Sequence, residues 1–84
     1  MAKLDFPNVF PLKVMGANED DFEALVLSII GKHAAIVPEK AITKRLSRGG
    51  RFLSVTVHIR AENQAQLDAI YRELSAHERV LMML

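Results

Sequence analysis

The sequence predicts an α+β fold in the order strand, helix, strand, strand, helix, strand, with one four-stranded antiparallel sheet and two helices on one of its faces. Three observations predict it. Phe52 to Ala61 alternates apolar and polar side chains, the period of a strand with one buried face. Phe22, Leu25, Val26, Ile29 and Ile30 recur at the spacing of one helical stripe. Leu67, Ile70, Tyr71 and Leu74 repeat that stripe later in the chain. Each helix therefore has one apolar face to bury, and a shared sheet can cover both.

The elements follow in order. Leu12 and Val14 alternate with Lys13 and Met15, so Phe10 to Gly16 reads as the first strand. Pro11 has no N–H for a ladder and belongs at its start. Asn18 is the expected N-cap of the first helix, and Glu19, Asp20 and Asp21 would place negative charge in its first turn. Gly31 weakens the end of that helix, where Lys32 and His33 suit a C-terminus. A loop through Pro38 follows. Lys40 to Ser47 reads as the second strand. Ile42 and Leu46 share a face with Lys44 between them, and an inward charge of that kind blunts a sheet edge.

"SRGGR" is the turn that follows, with Gly49 and Gly50 supplying the positive φ that a tight hairpin needs. In the third strand, Leu53, Val55, Val57, Ile59 and Ala61 point to the core. Phe52, Ser54, Thr56, His58 and Arg60 point away from it. Asn63 caps the second helix, with Gln66 completing a capping-box pattern. His77 falls at the end of that helix, and Val80 to Leu84 is the last strand. The arrangement is the ferredoxin-like βαββαβ fold. Its usual strand order, 4-1-3-2, places the two best-formed strands in the centre.

At 84 residues the chain reads as a single domain, 1–84, with residues 1–8 as a poorly ordered N-terminal lead-in. Half the residues are hydrophobic and 25% are charged, a globular composition. There is no cysteine, hence no disulfide and no thiolate metal site, which suits a reducing cytoplasm. No apolar run reads as a signal peptide or a membrane span.

"FPLKVMG", then "SRGGRFLSVTVHIRAEN", then a C-terminal apolar strand are similar to the YbeD-like family of small bacterial proteins. The resemblance runs over nearly the whole chain. It implies the ferredoxin-like fold, an architecture close to ACT regulatory domains, and a bacterial cytoplasmic location. It implies no activity, cofactor or catalytic residue.

The residues exclude several chemistries. "RGGRFLSV" shares Arg48, Gly49 and Phe52 with an RNA-reading strand motif. Gly50 and Val55 stand where that motif has its other aromatics, so nucleic acid is a disfavoured partner. An acylphosphatase needs an anion-cradling loop after the first strand, and "GANEDD" carries three acids there. His33, His58 and His77 lack metal-ligand spacing, and no carboxylate is placed to orient His58 beside Ser54 and Thr56. The expectation is a non-enzymatic protein without metal or cofactor.

Two functional classes remain. The first is an interaction module using its open sheet face or C-terminal edge, with a protein partner or a second copy of itself. Met15, Phe52, Leu81, Met82 and Met83 would form that surface. Strict alternation sends either Leu81 and Met83, or Val80, Met82 and Leu84, to the open face. The second is an ACT-like module sensing an amino acid or small acid. Its candidate site is Gly16, Ala17 and Asn18, leading to free N–H groups at a helix start. The basic hairpin of Lys44, Arg45, Arg48 and Arg51 is a further place for an anion, or a solvated surface.

Overall fold

The computed structural model describes residues 5–84. Its elements are β1 (Asn8–Ala17), α1 (Phe22–Gly31), β2 (Ala35–Ile36), β3 (Thr43–Leu46), β4 (Phe52–Ala61), α2 (Gln64–Ala76) and β5 (Val80–Met83). Residues 1–4 of the expected lead-in lie outside the described residues. The Phe6 ring lies 5.5 Å from that of Phe10, and β1 is already formed at Asn8.

The sheet runs β5–β1–β4, with β2 and β3 both paired to the far side of β4. All pairs are antiparallel. The expected 4-1-3-2 order therefore holds, but its second strand is split. Val37 still donates its N–H to the His58 carbonyl at 2.9 Å. Pro38 then has no N–H to continue the ladder. Lys40 turns back to the Val37 carbonyl at 3.3 Å, and pairing resumes only at Thr43. The expected strand from Lys40 to Ser47 is thus shortened to Thr43–Leu46.

The alternation in β4 sorts as the sequence predicts. Val55, Val57, Ile59 and Ala61 are fully buried, and Leu53 nearly so. Leu12 and Val14 of β1 lie opposite Val57 and Val55 and join the same core. Phe22, Val26, Ile29 and Ile30 from α1, with Leu67, Ile70 and Leu74 from α2, close it from the helix side. Tyr71 is the exception on α2, at 37% exposed, and Leu25 is only half-buried.

Helix α1 starts later than Asn18 predicts. Its N-cap is Asp21, whose carboxylate accepts from the Ala24 N–H at 3.3 Å. The cause is Phe22, which is 1% exposed and must enter the core at the first helical position. The loop before it compensates with left-handed backbone at Asp20 (φ 45°) and Asp21 (φ 49°), a conformation Asp adopts more readily than most residues. The expected acids of the first turn are therefore loop residues, and only Glu23 lies in that turn. Asn18 ties the loop to the hairpin instead. Its backbone N–H donates to the Arg51 carbonyl at 2.9 Å, and its side chain donates to the Gly50 carbonyl at 3.1 Å.

The hairpin and the Asn63 cap match their predictions, but Gln66 completes the capping box one residue early, at Glu62 and not at the Asn63 N–H. Gly49 (φ 86°) and Gly50 (φ 74°) carry the positive φ values. The Asn63 side chain accepts from the Gln66 N–H at 2.9 Å, and Gln66 reaches back to the Glu62 N–H at 2.6 Å.

The C-terminal strand takes neither expected register. Val80 pairs with Gly16, Met82 with Met15 and Met83 with Val14, with a bulge between Met15 and Gly16 that leaves Leu81 over. A bulge adds one residue and flips the alternation. Val80 and Met83 consequently pack against the core, while Met82 lies beside Met15 on the open face. Leu84 exchanges backbone hydrogen bonds with Lys13, which places it on that face too.

The ends of the two helices are joined by ions. Glu73 of α2 accepts from Lys32 and, at 2.7 Å, from His33 Nε2. The Lys32 hydrogen bond, seconded by His33, holds the Glu73 carboxyl below the usual carboxylate range. A folded-state value that is lowered gives stability present above the unfolded value and lost as pH falls through the folded one. Wild type should therefore exceed Glu73→Gln in urea midpoint at neutral pH, and the gap should close in acid. An equal gap at about pH 7 and about pH 2.5 would remove the ion pair as its cause.

Candidate functional site

The helices leave one face of the sheet open. Its strand positions form a grid set by the register. One row runs Leu84, Lys13, Thr56, Thr43, and the next runs Met82, Met15, Ser54, Arg45. Ala17 and Phe52 begin a third. None of the ten acids of the chain lies in any strand, whereas Lys13, Lys44, Arg45 and Arg60 do. Acidic side chains gather on the helices and loops, so the open face is basic although the net charge is only +1.

Two adjoining depressions lie on this grid. One has a volume of about 190 Å³ and is lined by Lys13, Met15, Arg45, Leu46, Ser47, Phe52 and Ser54. The other, about 280 Å³, is lined by Lys13, Thr43, Lys44, Arg45, Ser54 and Thr56. Lys13, Arg45 and Ser54 belong to both. Ser54 is the floor, at 8% exposed. His58 continues the face opposite Pro11, with its Nδ1 buried and without a hydrogen-bond partner among the described residues.

The structure divides the residues singled out in the sequence. Met15 and Phe52 do flank the groove, and Met82 lies next to Met15. Leu81 lines a separate depression with Tyr71 and Ser75, beside the sheet edge. Met83 turns inward, its sulfur 3.5 Å from the Ser75 hydroxyl. The basic hairpin is not one cluster. Lys44 points to the helix side and pairs with Glu23 at 2.9 Å, which raises its pKa through that hydrogen bond. Arg45 points to the open face, opposite Ser54. The Arg51 guanidinium lies 5.8 Å from the Phe52 ring centre, and Arg48 is exposed at the turn.

Gly16, Ala17 and Asn18 do not reach a helix start. Gly16 and Ala17 are the last residues of β1, and the Asn18 N–H is already donated to Arg51. Arg79 closes the space behind them. Its guanidinium donates to the carbonyls of Glu19 and Asp20 and lies 5.7 Å from the Phe22 ring centre. Sequence pattern gave no signal for Arg79, because it stands between α2 and β5 in no periodic stripe. Lys13 did carry one: alternation puts it on the open face, but its partner Arg45 lies two strands away and only the register joins them.

Among the described residues, no three His, Asp or Glu side chains gather where they would hold a metal ion. Among the described residues, no helix is long and apolar enough to cross a membrane.

Comparison with known proteins identifies the family and the fold. A family model described as protein of unknown function (DUF493) matches residues 1–84. A UPF0250 protein of Neisseria gonorrhoeae is 46% identical over 81 residues, covering 96% of this chain and 89% of its own. Another from Chromobacterium violaceum is 40% identical over 80 residues, covering 95% and 90%. Among solved structures, protein HP0495 from H. pylori aligns with a TM-score of 0.75 at 15% identity, over 100% of this chain and 88% of that one. The ACT domain from the GTP pyrophosphokinase of Chlorobium tepidum aligns at 0.71 with 13% identity, over 90% and 94%. Both likenesses establish an ACT-like, ferredoxin-like fold.

Proposed function

This chain belongs to the DUF493 family, described as proteins of unknown function, and from that premise we propose that it is a non-enzymatic, cytoplasmic interaction module that pairs through β5 with a strand of another protein chain. The observation that carries this reading is the contrast between the two sheet edges. The β3 edge bears Lys44 and Arg45, and charge discourages edge-to-edge pairing. The β5 edge, Val80–Met83, bears no charge, no proline and no glycine. Leu81 is 58% exposed, Met82 50% and Leu84 65%. Antiparallel pairing to β1 occupies the backbone groups of Leu84 and leaves those of its neighbour Met83 directed outward. An added strand would satisfy such groups and cover the exposed side chains. An apolar patch of that kind on a small domain marks an interaction surface.

The test uses Leu81→Lys with Met82→Lys, which charges the edge and spares the half-buried Met83. Sedimentation to about 1 mM reads self-association, and capture from a lysate of the native bacterium reads a different partner. Wild type should either associate or retain a host protein that the doubly charged form loses. A wild type that stays monomeric, and that captures the same host proteins as the doubly charged form, would end the proposal.

A further inference from the structure

We propose that the groove shared by β1, β4 and β3 on the open face is a binding site for a small organic acid, with its carboxylate held between Lys13 and Arg45 and its apolar body lying on Met15 and Phe52. This goes beyond the edge-strand reading and rests on different residues.

The polar end supplies what a carboxylate needs. Lys13 and Arg45 line both depressions. The three ion pairs among the described residues are made by Lys32, His33 and Lys44, so neither groove cation has a carboxylate of its own. Arg45 brings a planar fork that matches two carboxylate oxygens, and Lys13 a compact charge. They start two strands apart, roughly 10 Å at the strand spacing. Side chains of their length can converge above the floor between them. That floor is Ser54 and Thr56, whose hydroxyls can each donate one hydrogen bond. Ser54 is more than nine-tenths buried and lines both depressions.

The other end decides between an organic acid and a bare ion. Met15, Leu46 and Phe52 line the first depression and offer nothing to a second charge. A phosphate would leave that surface wet, whereas an acid with a short alkyl or aromatic body would cover it. Size limits the ligand. Both depressions fall below the roughly 300–1,000 Å³ of drug-sized pockets. For an acid of about eight non-hydrogen atoms, ligand efficiency puts Kd on the order of 1 mM. The absence of acids from every strand keeps the local potential favourable, and salt should weaken binding because the groove is shallow.

Amide chemical shifts test this, with hexanoate, phenylacetate, acetate and inorganic phosphate as probes to about 10 mM. Hexanoate and phenylacetate should shift Lys13, Met15, Arg45 and Ser54, and bind at least about fivefold tighter than acetate or phosphate. Arg45→Ala and, separately, Lys13→Met should each weaken hexanoate about tenfold at unchanged far-UV circular dichroism. The charged-edge protein, Leu81→Lys with Met82→Lys, should bind hexanoate as wild type does, which separates this site from the β5 proposal. Four results would each overturn the inference: no shift in the groove, shifts spread equally to Arg48, Arg51 and Arg60, phosphate as tight as hexanoate, or an affinity unmoved by both groove substitutions.

Discussion

Gly16→Ala is expected to lower stability by about 3 kcal/mol, at the upper end of what overpacking costs. A Cβ on Gly16 would stand 2.4 Å from the Arg79 carbonyl oxygen and 2.4 Å from Phe22 Cε1. Neither neighbour can yield cheaply. The carbonyl is backbone at the entry to β5, and Phe22 is 1% exposed and held in the core. Gly16 is therefore required by close approach and not by an unusual φ. For a domain of this size, each 1 kcal/mol moves Tm by roughly 4–8 °C, so a fall of about 12–24 °C should appear. Urea unfolding checks it directly, and a loss below about 1 kcal/mol would mean that β5 shifts aside without strain.

Gly16 also shows where sequence reasoning stops. The pattern at Leu12 to Gly16 marks a strand ending in glycine, and free N–H groups near a helix start make that glycine look like part of an anion site. The structure has it as a packing point beneath Phe22. The difference lies in Arg79, sixty-three positions away in sequence and invisible to any local period. Elements whose signal is local were legible: the β4 alternation, the two helical stripes, the glycine turn, the Asn63 cap. Elements set by competition were not. Asn18 and Asp21 both have capping side chains, and burial of Phe22 chose between them. Alternation in "VLMML" offers two registers, and a bulge produced a third arrangement. The groove follows the same rule. Lys13 and Ser54 were each placed on the open face by alternation, but the register of two separate ladders is what brings Arg45 to them.

Phe22→Ala should carry the largest loss, about 3–5 kcal/mol, against a total stability of roughly 4–13 kcal/mol for a chain of this length. The ring is the largest fully buried side chain and opens α1 at its first residue. Its removal leaves a cavity beneath β1 and takes away the surface on which Arg79 lies. Loss of that surface should loosen the Glu19–Asp21 loop as well, so amide exchange there should rise more than a cavity alone would cause. The two substitutions are coupled by contact. In a Phe22→Leu background, which costs less and keeps the fold measurable, the ring atoms that a Cβ at Gly16 would strike are gone. The Arg79 carbonyl remains, so relief should be partial. Gly16→Ala added to Phe22→Leu should then cost at least about 1 kcal/mol less than it does in wild type. Additivity within about 0.5 kcal/mol would assign the whole cost of Gly16→Ala to the Arg79 carbonyl, and would make the entry to β5, rather than the ring, what fixes the end of β1.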